Sequence, residues 1–137
     1  MATTDHTVTG VDFVSVPTQD LDRAADFYEN VVGLTPGPRW QRPGQPAMGA
    51  EFETGTVTLA LLNCPGLGIA FSPNAVPVAL QVGDVAAARA DLEAKGVAFD
   101  DTIDSGVCHM APFTDPDGNT LMFHHRYAPP DAGPTAG

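Results

Sequence analysis

Basic residues are scarce in this chain: 6 lysines and arginines stand against 17 acidic residues, for a formal net charge of −11. A protein that grips nucleic acid must neutralise phosphates with Lys and Arg, so no nucleic-acid partner is expected. Cysteine is scarcer still, with only Cys64 and Cys108. Two thiols are too few for a disulfide scaffold, and no C-x-x-C pair offers a zinc or redox motif; both read as ordinary reduced thiols. No apolar run approaches the roughly 20 residues of a membrane helix, so no membrane partner is expected. The first residues, Met1 to Thr9, lack the basic and apolar regions of a signal peptide, which points to the cytoplasm. A phosphate loop, a dinucleotide fingerprint and a G-x-S-x-G elbow are all missing. The acidic balance itself has two readings, steering of a cationic ligand or plain solubility.

What is present is a repeat. The 137 residues, 43% of them hydrophobic, suffice for one domain with a sizeable core. The stretch Val11 to Val16 is followed by Asp20, an Ala-rich helical segment through Tyr28, and Gly33. The stretch Val78 to Val82 is followed by Asp84, an Ala-rich segment through Leu92, and Gly96. Asp20 and Asp84 lie 64 positions apart, and each suits a helix N-cap, where a short carboxylate accepts from free backbone N–H groups. Leu21, Ala24, Ala25, Tyr28, Val31 and Val32 recur at helical spacing, as do Val85, Ala88 and Leu92. Gly33 and Gly96 suit the left-handed position that stops a helix.

After each helix the period changes to that of strands. Met48 to Glu53 and Thr56 to Leu62 flank a hairpin turn at Thr54-Gly55. Val107 to Phe113 and Asn119 to Arg126 flank the turn Asp115-Pro116-Asp117-Gly118. Thr35 to Pro46 is rich in Pro and Gly and reads as a loop around Trp40, and Pro65 to Pro77 links the halves. The expected fold is therefore α+β: two βαβββ modules whose curved sheets surround a cleft, with strands beginning near Val11 and Val78. Residues 1–9 are expected to be a flexible N-terminus and residues 10–127 the domain, with module one at about 10–72 and module two at about 76–127. Residues 128–137 read as a disordered tail.

The run Val16, Asp20-Leu21-Asp22-Arg23-Ala24, Phe27-Tyr28 and Val32-Gly33-Leu34, closed by Thr114-Asp115-Pro116-Asp117-Gly118-Asn119 and an apolar strand, resembles the vicinal oxygen chelate superfamily. That group takes in glyoxalases, bleomycin-resistance proteins and extradiol dioxygenases. The resemblance implies inward-facing metal ligands on the first and last strands of each module, usually His, Glu or Gln. The matching positions here are Phe13, about Leu59, about Pro77 or Val78, and Met122. None of these side chains holds Zn²⁺, Ni²⁺, Mn²⁺ or Fe²⁺ in the usual N/O manner. No metal or other cofactor is therefore expected at the usual place, and the implied pocket is lined by Phe13, Leu59 and Met122. The resemblance also implies a homodimer.

Polar groups remain that can do chemistry. With simple pairing around the Asp115–Gly118 turn, Ala111 lies opposite Met122 and His109 opposite His124. His109 and His124 then share the pocket face, as acid and base or as ligands of a divalent metal at an unusual place. The plainer alternative is a hydrogen-bonded pair without chemistry. His125 points the other way and reads as a structural or surface residue. Glu51 faces outward with a two-residue turn at Thr54-Gly55 and inward with a three-residue turn. Trp40 and Phe71 stand near the cleft mouth, as lids or as cover for the core edge. Two functions fit: a metal-free protein that binds a small aromatic or cationic organic ligand through Phe13, Trp40, Glu51, Leu59, Phe71 and Met122, or a lyase, isomerase or epimerase using His109 and His124.

Overall fold

The computed structural model describes residues 6–129, so the expectations for residues 1–5 and 130–137 lie outside the described residues. Strand β1 (Phe13–Thr18) leads into helix α1 (Leu21–Asp26), which continues as a π-helical segment, Phe27–Val32. Strands β2 (Thr35–Trp40), β3 (Gly49–Glu53) and β4 (Thr58–Asn63) complete the first module. A short helix α2 (Cys64–Leu67) opens the linker. The second module runs β5 (Val78–Gln81), α3 (Val85–Glu93), β6 (Ile103–Asp104), β7 (Cys108–Thr114) and β8 (Thr120–Arg126). The sheets have the orders β1-β4-β3-β2 and β5-β8-β7-β6, with β1 parallel to β4 and β5 parallel to β8. The duplication read from the sequence is thus the architecture.

The helix starts follow the expected chemistry. The Asp20 carboxylate accepts from the Arg23 amide at 3.2 Å and the Asp84 carboxylate from the Ala87 amide at 3.1 Å. Gly33 ends the π-helical segment at φ 90°, in the region where a Cβ is unfavourable. Leu21, Ala24, Ala25 and Tyr28 are buried, and Val31 and Val32 pack against the same cluster.

Two expectations about strands need correction. The Pro- and Gly-rich stretch after Leu34 was expected to be a loop, yet its first half is the strand β2. The prolines are tolerated because β2 is an edge strand, with its pairing to β3 broken by a register shift between Pro36 and Arg39. The second correction concerns the Asp115 turn. Thr114 pairs with Thr120, so the connection holds five residues, Asp115 to Asn119, rather than four. Asn119 is drawn out of the strand because its side chain is committed elsewhere: its amide nitrogen donates to the Pro17 carbonyl at 2.7 Å, and its oxygen accepts from the Asn74 amide at 2.8 Å.

The same turn latches the second module to the first. Asp117 accepts from the Thr18 hydroxyl at 2.6 Å and from the Gln19 amide at 3.1 Å. The buried Asp115 accepts from the Tyr28 hydroxyl at 2.7 Å and from the Asn119 side chain at 2.9 Å. Burial, and then the Asp115 carboxylate, push the Tyr28 phenol far above its ordinary pKa, because both disfavour a phenolate there. Among the described residues no buried side-chain N or O atom lacks a partner.

Candidate functional site

Alternation along the strands sorts the side chains by face. In the first sheet, Val16, Ala50, Phe52, Leu59 and Leu61 belong to the buried core. Phe13, Ser15, Glu51 and Ala60 therefore face the opposite way, away from α1. In the second sheet, Leu80, Ala111, Phe113, Leu121 and Phe123 belong to the core, so Met110, Met122 and His124 face away from α3.

Three of the expected ligand-binding residues come together on the open face of the first sheet. The Trp40 indole N–H donates to Glu51 Oε2 at 2.6 Å. The Phe13 and Trp40 rings meet edge to face, with centroids 5.8 Å apart and planes at 62°. Register explains the meeting: Trp40 pairs with Gly49, two residues from Glu51, and Gly49 has no side chain to hold the indole off the sheet. The facing of Glu51, open from sequence, is settled by its pairing with Ala60, which puts it on the Phe13 side. The connection between β3 and β4 runs from Thr54 to Val57, longer than either turn considered. Phe13 remains 46% exposed, so the rings are accessible.

The other members are placed differently. Leu59 lies in the core face, and Ala60 takes the open-face position on β4 that was assigned to Leu59. The clue was available, since Leu59 and Leu61 flank Ala60 in a strand with one face on the core. Met122 lies on the open face of the second sheet, so of the three residues expected to line one pocket, Leu59 alone faces the core instead. Phe71 is half-buried in the linker and lines neither cavity described below.

The histidine pairing also shifts by one. The five-residue turn sets His109 against His125 and Met110 against His124. His109 and His124 therefore lie on opposite faces, and a shared acid–base relay has no geometric basis. His109 instead joins a surface cluster that the sequence did not reveal. Its Nε2 stands 3.4 Å from Asp104 Oδ2 and its ring lies 4.5 Å from that of Tyr127, whose hydroxyl donates to Asp104 Oδ1 at 2.8 Å. The Gly106 amide, followed by the Tyr127 hydroxyl, holds the Asp104 carboxyl below the usual carboxylate range. His124 lines a hollow of about 370 Å³ with Gln81 and Arg126.

A larger cavity of about 700 Å³ lies between the modules, with Val14, Leu59 and the Thr54–Val57 turn on one side and Pro77 to Gly83 on the other. The positions that the family resemblance assigns to metal ligands carry, with register now known, Phe13, Ala60, Pro77 and Met122. None offers a nitrogen or oxygen side-chain donor, so these residues do not fit a bound metal. Among the described residues no three His, Cys, Asp or Glu side chains are placed to hold a metal ion, and no helix is long and apolar enough to cross a membrane.

A family model for the Glyoxalase/Bleomycin resistance protein/Dioxygenase superfamily matches residues 5–123. No curated protein matches the chain. Among solved structures, TnmS3, an antibiotic binding protein from Streptomyces sp. CB03234, is 26% identical, with 89% of this chain and 99% of that one covered and a TM-score of 0.74. A glyoxalase/bleomycin resistance protein from the same organism is 29% identical, with 80% and 94% covered and a TM-score of 0.64. Lactoylglutathione lyase from Agrobacterium tumefaciens shares the fold at 19% identity, with 86% and 94% covered and a TM-score of 0.70.

Proposed function

Because the chain belongs to the Glyoxalase/Bleomycin resistance protein/Dioxygenase superfamily, we propose that it is a metal-free binding protein for a small organic molecule, aromatic or cationic, held on the open face of the first sheet. The observation that carries this reading is the Trp40–Glu51 hydrogen bond of 2.6 Å beside the Phe13 ring. The indole N–H fixes one carboxylate oxygen and leaves Oε1 for a ligand. Two accessible ring faces offer stacking and, for a cation, attraction to the π-cloud. The net charge of −11 draws a cation toward the same surface. The fold likeness to an antibiotic binding protein is in keeping with this reading.

Trp40 is the single tryptophan, so its fluorescence reports on the site directly. Proflavine, a planar cationic acridine, is expected to quench it saturably, with an affinity unchanged by dialysis against EDTA. Glu51→Gln and Phe13→Ala are each expected to weaken binding about tenfold, the worth of one charged hydrogen bond or one aromatic contact. Quenching without saturation in the parent protein, or affinity restored only by an added divalent metal, contradicts the reading.

The arm before β1 leaves the apolar side chains of Val8 and Val11 in solvent. Such surface is costly to leave bare, and covering it with a second copy is the simplest closed solution. Light scattering at micromolar concentration is expected to give the mass of a homodimer; a monomer mass contradicts this.

A further inference from the structure

The modules meet at two equivalent places, and only one is closed. Val14 pairs with Leu59 as Val78 pairs with Leu121, which makes β1 the counterpart of β5 and β4 that of β8. At the end of β1, Pro17, Thr18 and Gln19 are bonded by Asn119 and Asp117, and Tyr28 by Asp115. At the end of β5 the equivalent residues are Gln81, Val82 and Gly83, with Leu92 in place of Tyr28 and the turn Thr54-Gly55-Thr56-Val57 in place of Asp115 to Asn119. Every ionisable member of the latch has an uncharged counterpart here. The turn is also one residue shorter: Phe52 pairs with Leu59, whereas Phe113 pairs with Leu121. The cavity of about 700 Å³ occupies the resulting space.

We propose that this inter-module groove is a second binding site, for an uncharged and largely apolar small molecule. Its volume falls within the roughly 300–1,000 Å³ of ordinary small-molecule sites. Val14, Leu34, Val57, Leu59, Val78 and Leu80 supply apolar walls, and among the described residues no Asp, Glu, Lys, Arg or His lines it, although the chain as a whole carries a charge of −11. A charged ligand would lose water there and gain no counter-charge. β5 is an edge strand, and Ala79 and Gln81 both border the groove. Among the described residues its outer amides and carbonyls face no other strand, and they suit one or two neutral polar groups on the ligand. The groove is separate from the Trp40 site, since Val14 and Leu59 point to the helix side of the first sheet and Phe13 and Glu51 to the other. The proposal therefore stands or falls independently of the function proposed above.

The test is a fluorescence titration of the full chain with 1-N-phenylnaphthylamine, an uncharged probe, and with 8-anilinonaphthalene-1-sulfonate, its anionic analogue. The uncharged probe is expected to bind one per chain and the sulfonate at least tenfold more weakly, with saturating proflavine leaving the uncharged probe in place. Val78→Trp fills the groove and is expected to abolish binding. Thr56→Glu, on the exposed turn where folding is not at stake, is expected to weaken it at least tenfold at unchanged melting temperature. Equal binding to the parent and Thr56→Glu overturns the proposal, as does displacement by proflavine, which would make the two sites one. A change of solution mass in Thr56→Glu also overturns it, by assigning the groove to a second copy of the chain.

Discussion

Replacing Asp115 by alanine is expected to destabilise the fold by about 3–4 kcal/mol, the range for removing one partner from a buried charged network. The carboxylate accepts from the Tyr28 hydroxyl, the Asn119 side chain, and the amides of Asp117 and Asn119, at 2.7 to 2.9 Å. Its loss strands the hydroxyl of a fully buried tyrosine and loosens the turn that carries Asp117 and Asn119, the remaining links to β1. Thermal unfolding should move down by roughly 10 °C. Tyr28→Phe removes one bond and leaves Asp115 three others, so about 1–2 kcal/mol is expected. The two substitutions should be strongly non-additive in a double-mutant cycle, because they share one contact. The pH dependence gives a second readout. The folded state holds Tyr28 protonated well above its ordinary range, so its contribution is whole at neutral pH. That contribution falls as pH rises past about 10, where the unfolded tyrosine ionises and the folded one does not. Tyr28→Phe should remove that part of the alkaline slope. A loss under 1 kcal/mol in Asp115→Ala would mean that the turn does not join the modules.

How far the sequence speaks for this fold depends on which physical rule governs each element. The helices were legible because capping by Asp20 and Asp84 and burial of one stripe are local rules, satisfied within a few residues. Strand β2 was not, because Pro36, Gly37 and Pro38 obey the propensities of a loop while an edge strand forgives them. The hairpin register was missed for a different reason. The Asp-Pro-Asp-Gly pattern fixes the turn, but the number of residues in it is decided by Asn119, whose partners Pro17 and Asn74 lie 102 and 45 positions away. A shift of one residue in a period of two exchanges the faces, so the expected His109–His124 pair became His109–His125 in the structure.

The site was legible in part for the same reason. Phe13, Trp40 and Glu51 were each singled out, but their meeting depends on β2 lying against β3, which the sequence concealed. The choice of Leu59 over Ala60 failed by a single position in a strand with one face on the core. The inter-module groove has no motif at all. It arises from what the Thr54–Val57 turn lacks relative to Asp115–Asn119, and such a difference is visible only when the two modules are set in register.

Gly49 ties the fold to the proposed site, and Gly49→Ala is expected to damage both. A Cβ at this position meets the Leu61 backbone oxygen in steric conflict, and comes within 2.9 Å of Trp40 Cε3. The first contact cannot be relieved by a side-chain rotation, because the obstructing atom belongs to the neighbouring strand β4. The second pushes the indole off the strand and away from Glu51. Overpacking of this kind costs typically 1–3 kcal/mol, and the backbone conflict places Gly49→Ala at about 3 kcal/mol. Gly10→Ala is the matched comparison: a Cβ there meets nothing within 4 Å, so its effect should stay within about 0.5 kcal/mol. Trp40 emission should shift to the red in Gly49→Ala as the ring enters water. Proflavine affinity should fall at least tenfold even at temperatures where the variant remains folded, because the carboxylate is no longer held by the indole N–H. Unchanged emission and unchanged affinity in a folded Gly49→Ala would show that Trp40 does not depend on the bare strand for its place, and would remove the Trp40–Glu51 pair as the basis of the site.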